Sequence, residues 1–152
     1  QKQTNFLKDT AGIPDLLDCD DRNRLPFKLT GTADLMIIDD AANQMNEVFA
    51  GLQFVIEVKK DHTSYDEQWQ LLLEMVVADF MCEERRSPVG LLTNLNDFWY
   101  FMWFAPNKKI ERIVLTCPAN AFKTMKQILK EKSGPMPDRQ FPMQIACLES
   151  PI

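Results

Sequence analysis

The chain is poor in the residues that build the commonest catalytic and metal centres. Only one of its 152 residues is histidine, His62, and the four cysteines, Cys19, Cys82, Cys117 and Cys147, are scattered with no Cys-x-x-Cys pair. A zinc centre, or a Ser-His-Asp or Cys-His catalytic group, would have to be assembled around that single imidazole, which argues against each of them. The cysteine spacing offers no disulfide framework and favours a reducing, intracellular compartment. Also missing is any apolar run of the roughly eighteen residues that a membrane span requires, and the first twenty residues hold no signal-type hydrophobic block. A soluble protein with no membrane partner is the expectation. Neither repeats nor low-complexity segments occur. The first residue is Gln rather than Met, so the chain reads as a processed product or a piece cut from something longer.

What is present suits one domain. A length of 152 residues with 45% hydrophobic content can bury a substantial core but not two comfortable ones, so a single domain over 1–152 is expected. The net charge of −5 hides an asymmetry: residues 107–139 hold eight Lys or Arg against three acids, a local +5 that leaves −10 elsewhere. Such a stretch either contacts a polyanion or forms a solvated helix face.

Hydrophobic patterning gives the order of elements. Residues 1–31, broken by Pro14 and Pro26, suggest only a short helix or turn at "PDLLDCD". The apolar run "TADLMIID" (32–39) reads as a strand, and "DDAANQMNEVFAG" as a loop returning to a second strand, "LQFVIEVKK", with which it pairs. Ser64 followed by Glu67 makes a capping box before the amphipathic helix "WQLLLEMVVADFMCEE". "SPVGLLTN", the aromatic "FWYFMWF" and "KKIERIVLT" read as three further strands. "PANAFKTMKQILKEK" is a helix with Pro118 near its start, and the proline-rich tail from Pro135 is expected to wrap the surface.

The chemistry-bearing constellation is Asp34 on the first strand and Glu57-Val58-Lys59 at the end of the second, a D-(x)22-E-x-K pattern. Strand alternation puts Gln53, Val55, Glu57 and Lys59 on one face and Phe54, Ile56 and Val58 on the other. Hard divalent cations such as Mg²⁺ or Mn²⁺ take carboxylate oxygens, and Asp34 and Glu57 would supply them. Lys59, two residues from Glu57 and pointing the same way, is placed to orient or deprotonate an attacking water and to offset charge in the transition state. Gln70 opens the following helix, with Glu74 one turn on. Glu74 reads as a solvated or supporting residue rather than a ligand, and His62 as a loop residue within reach of a substrate phosphate. The bland alternative is a Glu57–Lys59 pair at a solvated strand end, with Asp34 accepting backbone hydrogen bonds. Asp39 and Asp40 offer either a second metal position or a polar strand exit. The run Phe98–Phe104 either stacks bases or supplies core plus a partner-facing surface.

At Asp34, Glu57-Val58-Lys59 and Gln70 the sequence resembles the PD-(D/E)xK, or restriction-endonuclease-like, nuclease superfamily. The spread "GTADLMII…FVIEVKK…QWQLLLEMVVA…PVGLLTNLNDFWYFMWF" looks particularly like the nuclease domains of Crinkler-type effectors. The resemblance covers about residues 31–104 and implies an α/β (α+β) fold with a mixed sheet flanked by helices, in the order αβββαβ; the charge count adds a basic helical extension over 107–152. The resemblance further implies Mg²⁺- or Mn²⁺-dependent endonuclease activity on DNA first and RNA second, in a host nucleus. Asp34, Glu57, Lys59 and Gln70 would be catalytic, and Asp34, Glu57 and the Val58 carbonyl would hold the metal. Apart from the resemblance, the charge distribution makes Lys60, Lys123, Lys126 and Lys130 the candidates for binding nucleic acid, and the aromatic stretch offers a surface for a protein partner. The alternative is a nuclease-fold module that has lost cleavage and works by binding. The pattern departs from the family at Ala33, where the name-giving proline would stand, and upstream, where a helical Glu often completes the metal shell. The first glutamate here is Glu47, so Asp9, Asp15 or a residue before Gln1 takes that place, or the site is weaker.

Overall fold

In the computed structural model, which describes residues 4–20, 23, 26–61, 64–82, 87–105 and 109–132, alternating and continuous apolar runs form eight strands. They are β1 (Asn5–Asp9), β2 (Leu17–Cys19), β3 (Leu29–Gly31), β4 (Leu35–Asp39), β5 (Leu52–Val58), β6 (Val89–Thr93), β7 (Trp99–Phe104) and β8 (Ile110–Leu115). Three helices join them: α1 (Asp40–Gln44), α2 (Tyr65–Met81) and α3 (Pro118–Lys132). A six-stranded mixed sheet runs in the order β1-β4-β5-β6-β7-β8, and β2 and β3 form a separate two-stranded sheet. All neighbours in the large sheet are antiparallel except β5 and β6. The parallel pair follows from the connection, since α2 is long enough to carry the chain back to the start of β6.

Both faces of this sheet are covered. Phe54, Ile56, Val89, Leu91, Trp99 and Phe101 pack with Ala121 and Ile128 of α3 on one side. On the other, Met36, Ile38 and Val55 meet Val77 and Ala78 of α2 and Leu17 of β2, while Leu92, Tyr100 and Met102 meet Leu71 and Met75 of α2. Six of the seven residues of β5 are accordingly buried, from Leu52 through Glu57. The aromatic run of β7 is core: Trp99, Tyr100, Phe101 and Trp103 are all buried. It does not form the partner-facing surface that the sequence suggested.

Local chemistry explains the boundaries. Ser64 N donates to Glu67 Oε2 at 2.7 Å, closing the capping box ahead of α2. Asn94 Oδ1 accepts from Asn96 N and Phe98 N, and Leu95 sits at φ 62°, which turns the chain from β6 into β7. Asp39 caps α1 by accepting from Ala42 N at 2.7 Å, and Asp40 Oδ2 accepts from Gln44 Nε2. Both aspartates are thus occupied in building a short helix that sequence reading took as loop.

The N-terminal region differs most from expectation. Where a short helix or turn over "PDLLDCD" is expected, Pro14 and Asp15 form a turn and Leu17–Cys19 a strand, and the described residues before Leu35 contain no helix, against the family-type first helix. Leu17 and Cys19 are buried and Asp18 exposed, a period-2 pattern too short to recognise without its partner β3. His62 and the tail from 133 onward lie outside the described residues.

Candidate functional site

The carboxyl end of β5 is where Asp34, Glu57 and Lys59 come together. β4 and β5 pair in constant register from Leu35 opposite Ile56 to Ile37 opposite Phe54. Continued by one residue, that register sets Asp34 opposite Glu57 and on its face. Asp34 Oδ2 accepts from Val58 N at 2.9 Å, and its main-chain carbonyl accepts from Thr10 N and Ala11 N. Lys59 N donates to Thr93 O at 2.9 Å, tying this end of β5 to β6. Lys59 Nζ lies 3.3 Å from Glu57 Oε2, with its side chain 30% exposed and that of Glu57 almost fully enclosed. The pair is therefore not the solvated strand end of the bland reading, although Asp34 does accept the backbone hydrogen bond which that reading assigned to it.

Helix α2 closes the site from above. Its buried residues Leu71, Glu74, Met75, Val77 and Ala78 recur at three- and four-residue spacing, so a stripe otherwise apolar brings one carboxyl group down onto the sheet. Gly90 lets the helix approach: a Cβ there would stand 2.2 Å from Met75 Sδ and 3.2 Å from Leu71 Cδ1. Glu74 is 5% exposed and Glu57 1%, and the two side chains lie within hydrogen-bonding reach of each other. Gln70 Nε2 donates to Glu74 Oε1 at 2.9 Å. Glu57 Oε1 and Glu74 Oε2 are buried without any protein donor. Two carboxylates only accept, so the pair is held together by a shared proton or by a cation.

The electrostatics follow from burial and crowding. Burial and the Glu57 charge push Glu74 up to about 9, an effect the Gln70 amide only partly offsets. Glu57 is raised by burial and by Asp34, against the lowering influence of Glu74 and Lys59. Burial pulls the Lys59 ammonium down, but Glu57 and Asp34 outweigh it and leave its pKa above the ordinary lysine value. Lys59 is therefore a fixed positive charge at neutral pH, suited to orienting a water or an anion and not to deprotonating one.

Of the residues predicted from sequence, Asp34, Glu57, Lys59 and Gln70 converge here, with Gln70 reaching the site through Glu74. The Val58 backbone lies between Asp34 and Lys59. Neither Asp9 nor Asp15 supplies an upstream carboxylate from a helix: Asp9 ends β1 and accepts from Ala11 N, and Asp15 stands at φ 52° in the following turn. Glu74 is the acidic residue that sequence reading undervalued, and its spacing from Gln70 was the available signal. Among the described residues no three His, Cys, Asp or Glu side chains are placed to share one metal ion.

A groove of about 510 Å³ runs between α2 and the β2–β3 hairpin, lined by Leu17, Leu29, Trp69, Gln70, Leu73 and Glu74 among others. It reaches Glu74, though not Glu57, from solvent. Exposed aromatics lie along α2, at Tyr65 and Trp69. Lys60 is exposed just beyond β5. Lys123, Lys126 and Lys130 are exposed on α3, which covers the opposite face of the sheet from Glu57. The basic helix and the carboxyl pair do not share a surface. On the α2 face lies Arg112, opposite Met102 in the β7–β8 register and within hydrogen-bonding reach of Tyr100. No described helix is long and apolar enough to cross a membrane.

The chain is similar to Crinkler effector proteins of Phytophthora species. It is 29% identical over 131 residues to Crinkler effector protein 4 of Phytophthora capsici and to Crinkler effector protein 2 of Phytophthora infestans. It is 28% identical over 134 residues to Crinkler effector protein 63 of Phytophthora sojae. These alignments take in 82–83% of this chain but only 27–29% of the relatives, so the chain spans less than a third of the length of the proteins it matches. No family model matches it, and no solved structure does.

Proposed function

We propose that this chain is the catalytic part of a Crinkler-type effector, a Mg²⁺- or Mn²⁺-dependent nuclease of the restriction-endonuclease-like kind that cleaves DNA first and RNA second. Its place of action on this reading is inside a host cell, in the nucleus or cytoplasm. The observation that carries the reading is the pair of buried carboxylate oxygens, Glu57 Oε1 and Glu74 Oε2, that face no protein donor beside an ammonium group. Buried acceptors in that condition are the signature of a place made for a proton or a cation. The donor set, all oxygen, fits a hard divalent ion.

Asp34, Glu57 and the Val58 carbonyl would hold the ion, Asp34 through the oxygen not already engaged with Val58 N. Such an ion lowers the pKa of a bound water and neutralises charge on a phosphodiester oxygen. The protein's own groups do the rest. Asp34 pins the end of β5, so the carboxylate of Glu57 and the ammonium of Lys59 are presented at fixed spacing. Lys59, charged and partly exposed, donates hydrogen bonds to the attacking water and to the oxygens on which negative charge develops. Gln70 fixes Glu74, and α2 keeps bulk water from the far side of Glu57.

The second reading, a nuclease-fold module that binds protein or nucleic acid without cutting, is favoured by the lack of a three-carboxylate cluster among the described residues. Incubation of supercoiled plasmid and of single-stranded RNA with the protein, in Mg²⁺, in Mn²⁺ and in chelator, separates the two. Metal-dependent cleavage of either substrate supports the nuclease, and intact substrates in every lane leave the binding module.

A further inference from the structure

We infer that Glu74 is the second fixed carboxylate of the divalent-cation site, facing Glu57 across it, and that Gln70 is the positioning residue that aims it. The inference rests on the metal-dependent reading above and departs from it on which residue completes the site. The sequence pattern calls for a ligand upstream of β4, and the structure offers one from the helix after β5 instead.

Three observations carry it. Glu57 and Glu74 are both more than nine-tenths buried, and each keeps one oxygen with no donor. Desolvating two carboxyl groups against each other is costly unless something positive lies between them. Lys59 does not fill that role, since its ammonium contacts Glu57 Oε2 and leaves Oε1 without a donor. Gln70 donates to Oε1 of Glu74, which leaves Oε2 as its oxygen without a donor. Finally, the groove beside α2 is lined by both Gln70 and Glu74, so Glu74 is the member of the pair that borders a solvent-filled space.

Two carboxylates are enough. Mg²⁺ is commonly held by one or two of them with water in the remaining positions, so the lack of a third in range is compatible with a working site. Charge agrees as well: Asp34, Glu57 and Glu74, when ionised, exceed Lys59 by two negative charges, the amount that a divalent ion neutralises.

Calorimetric titration of Mn²⁺ into the whole chain at pH 7.5 tests this with Glu74→Gln and Gln70→Leu beside the wild type. Glu74→Gln keeps the shape and the Gln70 contact but removes the anionic oxygen, and it should weaken Mn²⁺ binding by roughly 100-fold. Gln70→Leu leaves both carboxylates and removes only the group that orients one; the expected loss is roughly tenfold, as for other residues that orient a ligand. Circular dichroism establishes folding first. If Glu74→Gln does not fold, Gln70→Leu decides, with unchanged affinity overturning the inference. Equal affinity in wild type and Glu74→Gln also overturns it while leaving the metal-dependent reading intact. A wild type that binds no Mn²⁺ removes both.

Discussion

Raising the pH from 5.5 to 7.5 should destabilise the metal-free protein, and Glu74→Gln should suppress most of that loss. Glu74 is pushed up to about 9 from an ordinary value of 4.5. Between those limits the folded chain keeps a proton that the unfolded chain has released, so stability falls as pH rises and levels off only above about pH 9. One proton corresponds to at most about 1.4 kcal/mol per pH unit, hence up to about 3 kcal/mol across this interval. For a domain of this size that amounts to a fall in melting temperature on the order of 5–10 °C. The glutamine amide mimics the protonated carboxyl: it stays neutral at both pH values and offers an N–H to Glu57 Oε1. Thermal melts in chelator at the two pH values, wild type against variant, cancel the contribution of the other titrating groups. Parallel pH dependences in the two proteins would refute the argument that the pair shares a proton.

Gly90→Ala should cost roughly 1–3 kcal/mol, because the new methyl meets Met75 and Leu71 in a closed layer; urea denaturation measures it, and no loss would mean that α2 is not held at this height by Gly90. Charge reversal at Lys123, Lys126 and Lys130 should weaken DNA binding and flatten its salt dependence while leaving metal affinity unchanged, since α3 lies on the other face of the sheet; unaltered DNA affinity in a gel-shift series would mark the patch as merely solvated. Arg112→Glu, on the face of Glu57, should weaken DNA binding as a single change, and its failure to do so would put the substrate elsewhere.

Much of this architecture was legible in local signals. The capping box at Ser64 and Glu67, the turn after Thr93 and the pairing of β4 with β5 follow from short-range chemistry that the sequence displays directly. The burial of Glu57 does not. Alternation assigns it to a face, but only the return of α2 over that face removes it from water. Glu74 was misjudged for the same reason, since a carboxylate on an amphipathic helix ordinarily lies on the solvated side. Leu17–Cys19 escaped because three residues carry too little pattern, and the β7 aromatics were half misread because α2 and α3 cover both sides of that strand. The convergence of Asp34, Glu57 and Lys59 was legible because register and alternation fix it, whereas the protonation of the pair depends on packing between segments far apart in the chain.

Single-turnover cleavage of DNA in saturating Mn²⁺, for the wild type and Lys59→Ala, tests the central claim most directly when paired with Mn²⁺ titration of the same samples. Glu57→Ala serves as the control and should lose both cleavage and metal. Lys59→Ala should bind Mn²⁺ as well as the wild type, or more tightly, because it removes a neighbouring positive charge. Its cleavage rate should fall by roughly 10²-fold, the usual cost of losing an electrostatic contribution to the transition state. A wild type that cuts and a Lys59→Ala variant that cuts equally fast would contradict the role given to this lysine, and a wild type that neither binds Mn²⁺ nor cuts DNA or RNA would contradict the account as a whole.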